Sequence, residues 1–135
     1  MVGILVASHG ALAAGLLDSA SMIVGKSELM KAESLQPEDS PEGFKERLAK
    51  SIAELDQGDG VLVLTDLFGA TPANSALSLV GDGVEVLTGV NLPMLLEAIM
   101  QREMPLRELA DSILESGRSG IINAGNMIRE SQENA

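Results

Sequence analysis

The sequence opens on the apolar run Val2-Gly3-Ile4-Leu5-Val6-Ala7-Ser8-His9-Gly10, which contains the only histidine among the 135 residues. A short, continuous apolar run is typical of a strand that is buried on both faces at the centre of a parallel sheet. Open α/β sheets build their ligand sites in the crevice beyond the carboxyl ends of such strands. His9 is therefore predicted to lie where this kind of fold places its chemistry.

The composition limits the class of protein. A chain of 135 residues with 45% hydrophobic content has the size of one globular domain. The only aromatic residues are Phe44 and Phe68, so the core is predicted to be aliphatic. Twenty acidic residues against nine basic residues give a formal charge of −11, which opposes binding to nucleic acid and to anionic membrane surfaces.

The sequence shows no cofactor or targeting motif. With no cysteine and one histidine, a zinc site is not expected. Neither a Walker loop nor a dinucleotide fingerprint is present, so we expect no metal and no cofactor. No apolar run approaches the roughly 20 residues of a membrane-spanning helix, and the first residues lack the pattern of a signal peptide. We therefore expect a cytoplasmic protein.

Strand and helix patterns alternate along the rest of the chain. Apolar runs at 61–65 and 84–88 predict two more buried strands, and a weaker alternation at 29–35 predicts an edge strand carrying charges. Each strand is followed by a helix pattern, and a fifth helix comes last; the helices are predicted at about 12–24, 40–55, 72–80, 93–101 and 105–117.

Single residues predict where the helices begin and where the domain ends. Asp39 is expected to cap the second helix in a capping box, and Thr71 is expected to cap the third. The segment 120–123 could form a last short edge strand, and the polar end of the chain is expected to fray. These boundaries predict a single domain over 1–124, followed by a polar tail over 125–135.

The alternation of strands and helices predicts a topology. It requires an α/β fold with a doubly wound, mainly parallel four-stranded sheet, right-handed crossovers and helices on both faces. In the common strand order 2-1-3-4, the switch point lies between strands one and three, which end at His9 and Asp66. Neighbouring strands lie about 4.8 Å apart, so the imidazole and the carboxylate are predicted to reach each other.

Such a pair has a defined chemistry. A carboxylate that bonds one ring nitrogen fixes the tautomer of the histidine and leaves the other nitrogen as a nucleophile. The loop Gly69-Ala70-Thr71 leads into a helix amino terminus, which favours an anion, and Thr71 can add a hydroxyl donor. Gly10 starts the first helix at the same edge of the sheet. These features favour formation of a phosphohistidine on His9.

Structural roles for the same residues remain open from the residues alone. A lone histidine is commonly a hydrogen-bonded surface or core group. Asp66 could simply cap a turn. Thr71, as an N-cap, would have its hydroxyl committed to the backbone.

Three stretches, in the right order, carry a resemblance to a known family. They are GILVASHG at 3–10, GVLVLTDLFGATPAN at 60–74 and VLTGVNLPML at 86–95. In these stretches the chain resembles the EIIA domains of the mannose, fructose and sorbose class of the bacterial phosphoenolpyruvate-dependent sugar phosphotransferase system.

The resemblance implies a phosphoryl relay. His9 would accept a phosphoryl group on Nε2 from the phosphohistidine of the carrier HPr, while Asp66 holds Nδ1 and groups at Thr71 assist. The group would then pass to a histidine of the EIIB component, which phosphorylates sugar entering through the membrane proteins EIIC and EIID. The family also implies a homodimer, in which a strand near 120–123 can pair across subunits. An EIIB partner is expected to be a separate polypeptide.

One residue departs from the family pattern, and two other functions stay open. The family commonly has two glycines before the Ser/Thr-Pro, and the second is Ala70 here; if the backbone there has a positive φ, alanine costs about 1 kcal/mol or more. The chain could alternatively serve a dihydroxyacetone kinase as its phosphotransfer subunit. It could also be a regulatory phosphocarrier that signals without a transported sugar.

Overall fold

Strands and helices alternate along the chain in the computed structural model, which describes residues 1–134. The strands are β1 (Gly3–His9), β2 (Met30–Leu35), β3 (Val61–Thr65) and β4 (Val84–Thr88). The helices are α1 (Leu12–Val24), α2 (Pro41–Leu55), α3 (Thr71–Leu77), α4 (Leu92–Met100), α5 (Leu106–Ser119) and α6 (Ala124–Glu133). No helix within residues 1–134 is long and apolar enough to span a bilayer.

The four strands form one parallel sheet in the order β2-β1-β3-β4. The register pairs His9 with Leu35 of β2, and Ala7 with Thr65 of β3. Every residue of β3, and every residue of β1 except His9, is buried, whereas the edge strands β2 and β4 are only partly buried. The predicted doubly wound sheet of order 2-1-3-4 is confirmed.

Two apolar cores lie on opposite faces of this sheet, because successive side chains of a strand point to opposite sides. Ile4 and Val6 of β1 belong to the core beneath α1, α4 and α5. Leu5 and Ala7 belong to the core beneath α2 and α3, which contains Phe44. The continuous apolar run of β1 is thus explained by burial on both faces.

Two predicted helix caps are wrong. Ser40 caps α2 by accepting a hydrogen bond from the backbone N–H of Gly43, and the Asp39 carboxylate instead accepts from the backbone N–H of Gln36. The N-cap of α3 is Ala70, so Thr71 is the first residue of that helix. Both helices nevertheless begin beside their prolines, since proline fits the first helical turn.

The carboxyl end differs from the expected short strand and frayed tail, while the division into a domain over 1–124 and a tail over 125–135 stays a prediction. Gly120 ends α5, and residues 120–123 form no strand within residues 1–134 of this chain. Pairing of this segment across subunits stays a prediction. The polar tail forms helix α6 as far as Glu133, and Ala135 lies outside the described residues. Local contacts explain α6: the Asn123 side chain caps it, and Asn126 bonds to Glu130 one turn later.

A buried arginine fastens the amino end of the sheet. Arg102, 3% exposed, donates hydrogen bonds to the carbonyls of Val2 and Leu29 at 2.7–3.0 Å, and also to the carbonyl of Glu28 and the hydroxyl of Ser27. Hydrogen bonds to a charged group typically contribute about 1.5–3 kcal/mol each. Arg102 therefore ties the start of β1 to the segment that enters β2.

Candidate functional site

His9 and Asp66 meet at the carboxyl ends of the two central strands. His9 is the last residue of β1, and Asp66 directly follows β3. The Nδ1 atom of His9 lies 2.7 Å from Oδ2 of Asp66, and the backbone N–H of His9 donates to the same oxygen at 2.9 Å. The structure thus brings together the two side chains that the topology predicted to be neighbours.

The hydrogen bond assigns the two ring nitrogens. An ionised carboxylate can only accept hydrogen bonds, so Nδ1 carries the proton and Nε2 keeps its lone pair. The His9 side chain is 52% exposed, whereas the Asp66 side chain is 12% exposed. The largely shielded Asp66 carboxylate therefore fixes the orientation of a half-exposed imidazole, whose Nε2 can act as a nucleophile.

Hydrogen bonds from His9 lower the pKa of the Asp66 carboxyl. Burial alone would raise the pKa of Asp66, but the hydrogen bonds from the backbone and ring of His9 outweigh it and hold the pKa below its ordinary value. Only one oxygen of the Asp66 carboxylate accepts hydrogen bonds from His9. The other, Oδ1, is buried and makes no hydrogen bond within residues 1–134. Both bonds to His9 therefore depend on Oδ2.

Gly10 has a different role from the one its position suggested. Its backbone N–H donates to the carbonyl of Leu35 at 3.0 Å, and α1 begins only at Leu12. Gly10 therefore does not start α1 as predicted, and its N–H already bonds to β2. Its part in binding a phosphoryl group stays a prediction. With φ at +53°, Gly10 turns the chain out of β1, a conformation that glycine adopts readily.

Ser8 supports the first turn of α1, a contribution that the sequence interpretation missed. Its buried hydroxyl accepts a hydrogen bond from the backbone N–H of Ala13 at 2.8 Å. A serine shortly before a helix is a common capping residue, so the position of Ser8 in the sequence could have indicated this role. The bond ties α1 to the strand end that carries His9.

The loop after Asp66 has an unstrained backbone at Ala70. Gly69 has φ at +86° with open space around it, whereas Ala70 has φ at −101° and ψ at 171°. Since a side chain is ordinary in that extended conformation, the replacement of the family's second glycine carries no strain. Thr71 follows as the first residue of α3, and its hydroxyl makes no capping bond.

A groove of about 310 Å³ opens beside His9. Its other wall comes from the segment after β2, which the sequence interpretation did not place at the site. The lining residues are His9, Gly10, Leu35, Gln36, Pro37 and Asp39. Arg47 braces this wall by donating to the Ser34 carbonyl at 2.7 Å and to the Asp39 carboxylate at 3.1 Å.

Residues 1–134 contain no cluster of three or more histidine, cysteine, aspartate or glutamate side chains that could hold a metal ion. The expectation of no metal and no cofactor stays a prediction.

Fold and site together define a class of protein: a doubly wound α/β protein that presents a carboxylate-oriented histidine at its switch point. The family model described as "PTS system fructose IIA component" matches residues 3–114. The chain belongs to this family, the EIIA components of the mannose, fructose and sorbose class of the sugar phosphotransferase system, and the predicted resemblance is confirmed. Proteins of this family act in phosphoryl transfer, with HPr and EIIB as their general partners.

Relatives from several bacteria agree with this assignment. The mannose-specific EIIAB component of Escherichia coli K12 is 36% identical over 89% of this chain, which spans 38% of the length of that relative. The fructose-specific EIIA component of Bacillus subtilis is 28% identical over 84% of this chain and 80% of its own length. A crystal structure of an EIIA component from Streptococcus agalactiae superposes with a TM-score of 0.86 and 30% identity, covering 93% of this chain and 99% of that one.

Proposed function

We propose that His9 carries a phosphoryl group between HPr and an EIIB component that phosphorylates a sugar entering through EIIC and EIID. The observation that carries the proposal is the 2.7 Å contact of Nδ1 with Asp66 on a ring that is 52% exposed. The largely shielded carboxylate directs the lone pair of Nε2 outward, where a second protein can reach it.

In the first transfer, the Nε2 lone pair of His9 forms a bond to phosphorus while the P–N bond of phospho-HPr breaks and its electron pair returns to the HPr imidazole. The His9 ring gains positive charge in this step, and the adjacent Asp66 carboxylate stabilises it through the Nδ1–H bond. The second transfer reverses these roles, because the EIIB histidine attacks and His9 leaves as a neutral imidazole.

Groups at the start of α3 would donate hydrogen bonds to the phosphoryl oxygens. Gly69, Ala70 and Thr71 come directly after Asp66, and the first backbone hydrogen bond of the helix is from Asn74 to the Ala70 carbonyl. The amino terminus of a helix attracts anions through such unpaired N–H groups. The Thr71 hydroxyl, which is free of a capping role, supplies a further donor in this proposal.

The proposed assembly is a homodimer acting in the cytoplasm. Its support is a carboxyl-terminal segment with four exposed apolar side chains, at 58–79% exposure, on a helix α6 that buries none of its residues and on the turn before it. Those side chains are Ile121, Ile122, Met127 and Ile128. Association with a second copy would cover them.

Reconstitution of the relay tests the proposal. Incubation with phosphoenolpyruvate, enzyme I and HPr is expected to place one acid-labile phosphate on each chain, and omission of HPr is expected to prevent it. Addition of a mannose-class EIIB should then remove the phosphate from His9. Failure to take phosphate from HPr would contradict the proposal, and phosphate that EIIB cannot remove would favour the regulatory or dihydroxyacetone kinase alternatives.

A further inference from the structure

The chain exposes one of its two aromatic side chains beside the reacting histidine. Phe44 is fully buried, whereas Phe68 is 75% exposed and its neighbour Leu67 is 60% exposed. These two residues, here called the Leu67–Phe68 pair, directly follow Asp66. Large apolar side chains that are exposed next to each other at a functional site commonly mark a contact with another protein.

Hydrogen bonds fix the backbone on either side of the Leu67–Phe68 pair. On one side, Asp66 is fixed by its two hydrogen bonds to His9. On the other side, Gly69 turns the chain with φ at +86°, its carbonyl accepts from the Asn74 side chain, and α3 begins at Thr71. A backbone that is ordered before binding loses less conformational entropy on docking than a mobile one.

A second apolar wall lies on the opposite side of His9. The sheet order places β2 and β3 on either side of β1. The groove beside His9 is lined on the β2 side by Leu35 and Pro37, and the Leu67–Phe68 pair follows β3. Any protein that brings a phosphoryl group to Nε2 must therefore cover apolar surface on both sides of the ring.

We propose that the Leu67–Phe68 pair is the docking anchor for the phosphorylated carrier protein, with Phe68 packing into an apolar patch that surrounds the carrier's phosphohistidine. This inference rests on the proposed function and names how its donor is recognised. The formal charge of −11 favours a carrier whose apolar patch has a basic rim, because opposite charge speeds encounter while the buried aromatic supplies affinity.

A kinetic comparison tests the anchor. Phe68→Ala is expected to raise the KM for phospho-HPr at least about tenfold, the effect of a modest interface hot spot, while kcat stays unchanged because His9 and Asp66 are untouched. Phe68→Leu should recover part of the loss. The matched control is Met22→Ala, since Met22 is 84% exposed on α1 but lies away from the carboxyl edge of the sheet; its KM should equal that of the wild type.

The possible outcomes separate the two proposals. An unchanged KM in Phe68→Ala, or a fall in kcat at constant KM, would overturn the anchor while leaving the relay intact. A wild-type protein that takes no phosphate from HPr would overturn the relay and the anchor together. Because Phe68 is exposed, the urea unfolding midpoint is expected to be the same in all four proteins, and a lowered midpoint in Phe68→Ala would show a structural role and overturn the anchor.

Discussion

Replacement of His9 by alanine is expected to abolish phosphorylation by phospho-HPr. The chain has no second histidine, so no other imidazole can take the phosphoryl group. The ring is half exposed and packs into neither apolar core, so the fold should survive with a loss of about 1 kcal/mol, the net value of one hydrogen bond. Phosphate incorporation measured by mass spectrometry, beside a urea unfolding curve, checks both parts.

The conservative control for this variant is His9→Gln. Glutamine keeps an N–H group that can donate to Asp66 but has no imidazole lone pair. Both variants should incorporate no acid-labile phosphate, which would assign the loss to the missing nucleophile. Residual phosphate in either variant would refute the assignment of His9 as the carrier.

Replacement of Asp66 by asparagine is expected to slow transfer to His9 about 100-fold or more, which corresponds to about 3 kcal/mol in the barrier. The neutral amide no longer stabilises the ring as it gains charge. Its NH₂ group must also occupy one of two unfavourable places. At the Oδ2 position it opposes the two N–H donors of His9 and favours the wrong tautomer; at the Oδ1 position it is buried where Asp66 has no partner.

A matched control for Asp66→Asn is Asp82→Asn. It makes the same change of charge at an exposed residue in the turn before β4, at the other end of the sheet. Single-turnover rates with phospho-HPr should fall only in the Asp66 variant, while both proteins stay folded by circular dichroism. Equal rates for Asp66→Asn and the wild type would remove the orienting role of this carboxylate.

The central part of the fold could be predicted because its residues are patterned by burial. The runs that became β1 and β3 are apolar without alternation, and that pattern arises when helices cover both faces of a strand. The strand order then followed from the usual winding of such sheets. Adjacency of the strand ends in turn placed the imidazole beside the carboxylate, so the main contact of the site was also predictable.

Other features depend on contacts that leave no pattern in the sequence. Helix α6 buries no residue, and its apolar residues Ala124, Met127 and Ile128 cover little more than one turn, too short a repeat to identify a helix from the sequence. Arg102 bonds to backbone carbonyls between 73 and 100 residues away, and every residue type carries a carbonyl. The N–H of Gly10 bonds to the Leu35 carbonyl because the register of β2 places the two groups together, and register is a tertiary property.

Nitrogen NMR of the single histidine tests the central claim most directly, because one imidazole gives one pair of ring signals. The account predicts that, well above the ordinary titration range of histidine, Nδ1 carries the proton and Nε2 does not. After phosphorylation, the coupling to phosphorus should appear at Nε2. A ring protonated at Nε2 in the free protein, or phosphorus bonded to Nδ1, would contradict it.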